Sequence, residues 1–448
     1  MFSGGLKDGS TGLRLKKLSS FYYLVLILGF VLSVLWVLLV RTEPVSDFEY
    51  YQRIATQIAN GGQWGDTYTT VGYPIFLAPF YWLLGASTWV AKALNLVLST
   101  LNNVLVLHIL GKIGIAERLR KRIFVLFVLF PMNIYYNSNV ASEILFTTLL
   151  LLGTYVYLSD IKYKYVSIGV ITGLNTMLKP YFPLFALTII LTDLVWHKEF
   201  LKSFKNGVVV ILLAGVVLAP WLYRNYKLTG EFTYVSNNGG IVLYINNNSQ
   251  NKLSGWMPAE NVENSVVNRS DYRSANPTEK NKMLSRAAKA WIVGHPREFV
   301  SLGLKRVKRT FIQYGDKNYG DIFLAFYGSG ISPSLQIKWF KATELIRASV
   351  FIGGIASILS YTIMHFGLFF ARENYQHREK TWYISSHSRD KGCLFLLITF
   401  YMFAGVYFLT EGQSRYAFPT VLSLTLYVVL GIEGIWSSIE RILIKLRG

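Results

Sequence analysis

The chain has 448 residues, of which 52% are hydrophobic, 15% aromatic and only 16% charged, against roughly 25% charged in ordinary soluble domains. That balance excludes a soluble enzyme, and a single cysteine excludes a disulfide framework or a cysteine-based metal centre. A formal charge of +20 would mark a nucleic-acid partner in a soluble chain, but basic residues also collect at the cytoplasmic ends of membrane helices, so their positions decide.

The first apolar run, 21–40, follows Arg14, Lys16 and Lys17 and has the roughly 20 residues that a bilayer crossing needs. It is longer than a secretory h-region and no small-x-small cleavage site precedes Arg41, so it reads as a retained anchor. Next, Ser46 and Glu49 have the spacing of a capping box. Tyr50, Tyr51, Ile54 and Ile58 recur at helical spacing, which predicts an amphipathic helix with Asp47 at its first position, leaning toward the apolar side. The run 72–85 is too short to span comfortably. Further spans are expected at 88–111, 123–140, 143–159, 165–178, 181–196, 207–222, 343–371, 392–410 and 416–437, ten with the first; the pair around Pro180 is short.

Charge decides how 72–85 is read. With it left out of the count, the loops assigned to the cytoplasm hold 22 Lys and Arg and the short outer loops hold 4. Counting it as a span would invert every later loop and destroy that asymmetry, so it reads as a helix lying in the outer interface, with both termini cytoplasmic. Another 17 basic residues lie in 223–342, and the excess needs no nucleic acid. The expected architecture is an all-α polytopic membrane protein, one domain over 1–448 with about ten transmembrane helices. It has interfacial helices in the first outer loop, 41–87, and a long outer loop, 223–342, between spans seven and eight. Long loops in compact bundles are usually functional.

Walker A, HExxH, GxSxG and Asp-x-Asp motifs are all missing from the sequence, and its six histidines lack ligand spacing. Attention therefore falls on acids near the outer surface: Glu43, Asp47, Glu49, Asp66, Glu143, Glu231 and Glu411. The capping box explains Glu49. Asp47 and Glu143 each open a helix, where a carboxylate either complements the helix dipole or serves chemistry. Lys179, Arg224 and Arg415 lie on the same side; each alone is explained as a snorkelling anchor, but three converging would suit a phosphate. Lys305, Arg306, Lys308 and Arg309 are either a solvated face, the favoured reading, or a contact to lipid headgroups. Asn95, Ser99, Asn102 and Asn103 form a polar stripe expected to join helices.

Seven markers follow one another along the chain: Asp47 with Tyr51 and Ala55, Gly72 to Leu77, Ser142 to Phe146, Leu178-Lys179-Pro180, Pro220 to Asn225, Gly239-Gly240 before Leu243-Tyr244, and Arg415-Tyr416 ahead of Pro419. In this order the chain resembles the GT-C superfamily of membrane glycosyltransferases, in particular bacterial glycosyltransferase family 39, the group of the protein O-mannosyltransferases and the aminoarabinose transferase of lipid A. It departs from that pattern in Lys179-Pro180, where Arg-Pro is common, and in Ile245-Asn246-Asn247, where Gly-Asn is common.

The resemblance implies a sugar carried on a polyprenyl phosphate and transferred with inversion, at the outer face of a bacterial inner membrane, to a hydroxyl of a lipid, glycan or protein. It implies Asp47 as general base and Glu143 as a second acid. Arg224, Arg415 and Lys179 would meet the leaving phosphate, and Tyr51, Tyr73, Asn247 and Tyr416 the substrates. A divalent metal is compatible with this chemistry but not required, because the leaving group is a monophosphate. A lipid-linked sugar flippase or transporter, and a polysaccharide polymerase or ligase, stand as alternatives. A transporter predicts inverted repeats and charges at mid-membrane, whereas these acids gather at the outer rim.

Overall fold

The computed structural model describes residues 19–312, 320–370 and 387–447. Among them are eighteen α-helices, five 3-10 turns and no strand. The first half runs α1 (Ser20–Leu39), α2 (Asp47–Ala59), α3 (Gly72–Leu84), α4 (Thr88–Ile113), α5 (Glu117–Val128), α6 (Pro131–Tyr135), α7 (Glu143–Tyr157), α8 (Lys164–Thr176) and α9 (Phe185–His197). The second half runs α10 (Phe200–Thr229), α11 (Gly239–Asn246), α12 (Ser270–Ser274), α13 (Pro277–Gly294), α14 (Pro296–Phe311), α15 (Gly320–Phe326), α16 (Pro333–Phe370), α17 (His387–Leu409) and α18 (Val421–Arg447).

Among the described residues, α1, α4, α10 and the stretches Pro333–Met364, Lys391–Leu409 and Ser414–Ser438 are long and apolar enough to cross a membrane. Gly72–Leu84, Glu143–Tyr157 and Phe182–His197 are apolar but shorter. One large apolar core joins these helices, and a smaller one around Tyr244, Ile245, Leu284 and Ala288 holds α11 against α13 in the polar segment between α10 and α16.

Three local expectations change. The stretch 123–140 is not one helix. Pro131 denies Phe130 the helical region, so Phe130 is extended (ψ 128°) and α6 restarts on the proline. The exposed backbone polar groups that follow are met by side chains: Asn133 Nδ2 donates to the Phe127 carbonyl (2.7 Å), and Asn95 Nδ2 to that of Asn139 (2.7 Å). Ser99 Oγ bonds Asn137 Oδ1 at 2.8 Å. The stripe on α4 thus satisfies irregular backbone inside the bundle, which apolar surroundings demand.

The second change is at α10, which runs through Pro220 to Thr229 and closes on Gly230 in the left-handed region (φ 72°). With α16 beginning at Pro333, the polar segment covers 230–332 rather than 223–342. The third is the capping box, which does not form: Ser46 adopts φ 53° and its side chain caps no amide, because that backbone geometry turns the hydroxyl away from the first helical N–H groups.

Candidate functional site

The loops joining α1 to α4, α6 to α7, α8 to α9 and α17 to α18 meet at one end of the bundle. Asp47, at the start of α2, is half-exposed, and its Oδ2 accepts from Arg415 Nη2 at 2.9 Å. Arg415 arrives on the turn Ser414–Thr420, its guanidinium 5.2 Å from the Tyr416 ring centroid and 6.0 Å from that of Phe48. The turn is braced by Glu411, which accepts from Tyr416 Oη (2.9 Å) and Gln413 Nε2 (2.7 Å), while Tyr407 Oη donates to the Tyr416 carbonyl at 2.7 Å. Glu411 therefore holds Arg415 in place.

A second ion pair lies beside the first. Glu143, at the start of α7, is only 3% exposed, and its Oε1 is 3.4 Å from Lys179 Nζ. Lys179 follows the end of α8, its N–H bonded to the Asn175 carbonyl (3.0 Å), and Pro180 after it cannot continue a helix. Gly72 presses the start of α3 onto that turn: its N–H meets the Met177 carbonyl at 3.1 Å, and a Cβ would lie 2.6 Å from the same oxygen. Only glycine permits this approach. It sets the buried Tyr73 ring against the buried Tyr51 ring, centroids 5.6 Å apart.

The two pairs share one field. Burial opposes ionisation of Asp47, but the charge of Arg415, its hydrogen bond and the charge of Lys179 outweigh it and hold the carboxyl below the usual carboxylate range. Burial, with Asp47 and Glu143 nearby, raises the Tyr51 phenol, which stays neutral. Glu143 Oε2, Tyr73 Oη and Arg415 Nε are buried without a hydrogen-bond partner in the protein. Such atoms are uncommon in native interiors.

Of the residues singled out in the sequence, Asp47, Glu143, Lys179, Arg415, Tyr51, Tyr73 and Tyr416 come together here. Arg224 does not. It lies over Trp221 (4.5 Å) and donates to the carbonyls of Trp64 and Asp66 (3.1 Å each) and Gly65, pinning the 64–66 loop. Arg224 and that loop stand at the mouth of an apolar groove of about 1090 Å³, walled by Phe76, Leu145, Leu149, Leu178, Val217 and Trp221. The groove adjoins the site, since Leu178 precedes Lys179 and Gly72, also in its wall, precedes Tyr73.

Asn247 is fully buried at the end of α11, its Nδ2 donating to the carbonyls of Leu243 (2.8 Å) and Leu409 (3.4 Å). It faces the Glu411 turn rather than Asp47. Two of the other outer acids have structural partners: Asp66 accepts from Tyr50 Oη (2.9 Å), and Glu231 from Asn276 (2.9 Å) and Lys282.

Arg306 is the residue that sequence reasoning misplaced. It is fully buried, its Nε donating to the Phe408 carbonyl (2.8 Å) and Nη1 to that of Asn246 (2.7 Å). Its charge is met by the C-terminal carbonyls of two helices, α17 and α11. The signal lay in Leu302, Gly303, Arg306 and Thr310, which recur at helical spacing and form the inward face of α14. Among the described residues no three His, Cys, Asp or Glu side chains stand together as metal ligands; Asp47 and Glu143 each face a cation instead.

The sequence matches no protein-family model and no curated protein. The structure is similar to the apo crystal structure of the Archaeoglobus fulgidus oligosaccharyltransferase, with 13% identity and a TM-score of 0.51 over 97% of this chain. The chain shares the fold of that oligosaccharyltransferase and spans about half of it, 53% of its length. The same archaeal enzyme tethered to an acceptor peptide gives 14% identity and a TM-score of 0.48, covering 94% of this chain and 50% of that one. ArnT from Cupriavidus metallidurans bound to undecaprenyl phosphate gives 11% and 0.44, covering 93% and 78%.

Proposed function

We propose that this protein is a membrane glycosyltransferase that moves a sugar from a polyprenyl-phosphate donor to an acceptor hydroxyl, with inversion, at the outer face of the membrane. One observation carries the reading: two carboxylate–cation pairs, Asp47–Arg415 and Glu143–Lys179, stand side by side, and an apolar groove is walled by Leu178, the residue before Lys179. An apolar groove suits a polyprenyl chain, and the neighbouring cations suit a phosphate.

The acceptor oxygen attacks the anomeric carbon while the bond from that carbon to the phosphate oxygen breaks, so a single displacement inverts the centre. Asp47 takes the hydroxyl proton as general base. Its depressed pKa keeps it ionised at neutral pH, and its half-exposed position leaves it open to the acceptor. The leaving polyprenyl phosphate gains negative charge, which Arg415, through its unpaired Nε, and Lys179 stabilise from fixed positions. Glu143 holds Lys179 in place, and Tyr51, Tyr73 and Tyr416 wall the sugar site. Arg224 acts on the loop at the groove mouth. Among the described residues the acids form no ligand set for a metal, and Asp47 and Glu143 each face a cation. The basic bias of the opposite loops supports cytoplasmic termini, and the family resemblance supports residence in a bacterial inner membrane.

The test is transfer in reconstituted vesicles supplied with polyprenyl-phosphate sugars, following free polyprenyl phosphate for the wild type and Asp47→Asn. Release by the wild type that disappears in a folded Asp47→Asn protein is expected. Release unchanged by the substitution removes Asp47 as base and turns attention to Glu143. Movement of labelled lipid between leaflets without release overturns the transferase reading in favour of a flippase. With polyprenyl-diphosphate sugars supplied instead, release of polyprenyl diphosphate indicates a polymerase or ligase.

A further inference from the structure

The basic cluster on α14 is absorbed neither by the site nor by the solvated-face reading, and its depth can be measured against α17. Phe299 near the start of α14 meets Phe408, with ring centroids 5.6 Å apart, whereas Phe311 at its end meets Phe400 (5.2 Å) and, on α16, Phe351 (6.4 Å). Phe400 lies nine residues below Leu409, the end of α17 on the side of the site, which is about 13 Å along the helix. The apolar half-thickness of a bilayer is about 15 Å. α14 therefore descends beside two helices that are apolar and long enough to cross a membrane, to the depth of the lipid chains.

Its outward face has a matching order. Leu304, Lys305, Lys308 and Ile312 are exposed, with the apolar Ile312 deepest and Glu298 two turns above Lys305. The loop 252–256 is fastened alongside: Ser254 Oγ donates to the Leu302 carbonyl (3.3 Å), and Lys305 Nζ to that of Lys252 (3.2 Å). That fastening places Leu253, 76% exposed, and Trp256, 70% exposed, at the level of the lysines. A tryptophan and a leucine among lysines, above an apolar tip, is the composition of a segment seated in the headgroup layer.

The geometry points to a binding surface for anionic phospholipid headgroups, formed by Lys252, Lys305 and Lys308 with Leu253 and Trp256 inserted between the lipids of the leaflet on the side of the active site. Three ammonium groups supply charge complementary to lipid phosphate, and long lysine stems let those charges sit at the phosphate level while Ile312 stays below. The surface is independent of Asp47 and of the sugar chemistry.

The full chain carrying Cys393→Ser and Leu253→Cys, labelled with an environment-sensitive fluorophore, is reconstituted in phosphatidylcholine vesicles with and without phosphatidylglycerol. Blue-shifted emission quenched by brominated lipid is expected in both vesicles. In parallel, spin-labelled phosphatidylglycerol is expected to associate with the unlabelled protein in preference to spin-labelled phosphatidylcholine. The triple variant Lys252→Glu, Lys305→Glu, Lys308→Glu is expected to lower that preference at least about fivefold, the factor carried by one lysine near an anionic surface. Water-like emission from position 253 overturns the proposal without recourse to the triple variant. So does an unchanged lipid preference in a triple variant that elutes as the wild type does. Blue shift only on adding a second protein assigns the patch to a protein partner and likewise overturns it.

Discussion

Substituting Asp47 by asparagine and Glu143 by glutamine should give opposite signatures, because the two carboxylates sit in different surroundings. The Asp47 side chain is 43% exposed, and ion pairs that solvent reaches contribute only about 0–1 kcal/mol. The asparagine keeps an oxygen for Arg415 Nη2, so the melting temperature in detergent should barely move. Loss of the general base should nevertheless cost about 10²- to 10⁴-fold in transfer rate. Glu143 is the reverse: its side chain is 4% exposed and that of Lys179 18%, and breaking a buried pair on one side costs about 3–5 kcal/mol. Glu143→Gln should therefore lower the melting temperature clearly, whatever it does to rate. The assays are lipid-phosphate release in vesicles and thermal unfolding of the same preparations. Transfer by Asp47→Asn within tenfold of wild type refutes the assignment of the base, and an unshifted melt for Glu143→Gln refutes the burial argument.

Removing Arg415 should move the pH profile. The folded pKa of Asp47 is depressed, so its ion pair stabilises the fold above the unfolded value, and that contribution fades as pH falls through the folded one. The acid limb of kcat/KM should accordingly lie below the usual carboxylate range in the wild type. In Arg415→Gln, burial is opposed by Lys179 alone, and the residual activity should show an acid limb shifted upward; an unshifted limb would assign it to another group. Lys179→Arg should retain most of the transfer rate, since a guanidinium spans the same gap to Glu143 and phosphate, whereas Lys179→Met should lose both rate and about 3 kcal/mol of stability, read by vesicle assay and melting. Arg306→Leu strands the Phe408 and Asn246 carbonyls, at a cost of roughly 1–3 kcal/mol for each unsatisfied group. Limited proteolysis should then cut within 230–332 faster than in the wild type, and equal rates would show the guanidinium to be dispensable.

The helices long enough to cross a membrane were legible because they are written in local pattern, whereas the residues of the candidate site were singled out by the resemblance, local pattern giving only their places at helix ends. A run of twenty apolar residues fixes a span whatever surrounds it, and Lys179-Pro180 or Ser142-Glu143 announces a helix boundary with a charge on it. What could not be read depends on partners distant in sequence. Proline at 131 is visible, but the partners of the irregular chain after it are not: Asn95 reaches across from α4 to the Asn139 carbonyl, and Ser99 to the Asn137 side chain. Ser46 and Glu49 satisfy the capping pattern, yet the chain enters α2 with φ 53° at Ser46 and its side chain caps no amide, so the local preference was overridden. Arg224 shares its side of the bundle with Lys179 and Arg415, but sidedness is a coarse coordinate: the 64–66 loop stands on it and takes its donors.

Three buried polar atoms at the site, Glu143 Oε2, Tyr73 Oη and Arg415 Nε, come from three separate elements and have no hydrogen-bond partner in the protein. Each unmet group costs roughly 1–3 kcal/mol, a penalty the fold could remove by replacing Tyr73 with phenylalanine or by turning a neighbouring side chain inward. Instead the surrounding residues hold these atoms in position: Gly72 forces Tyr73 against the end of α8, Pro180 fixes Lys179 beside Glu143, and Glu411 locks the Arg415 turn through Tyr416 and Gln413. Rigid support around unmet donors and acceptors is what electrostatic preorganisation requires, since the reorganisation needed to stabilise a developing phosphate charge has been completed before the substrate arrives.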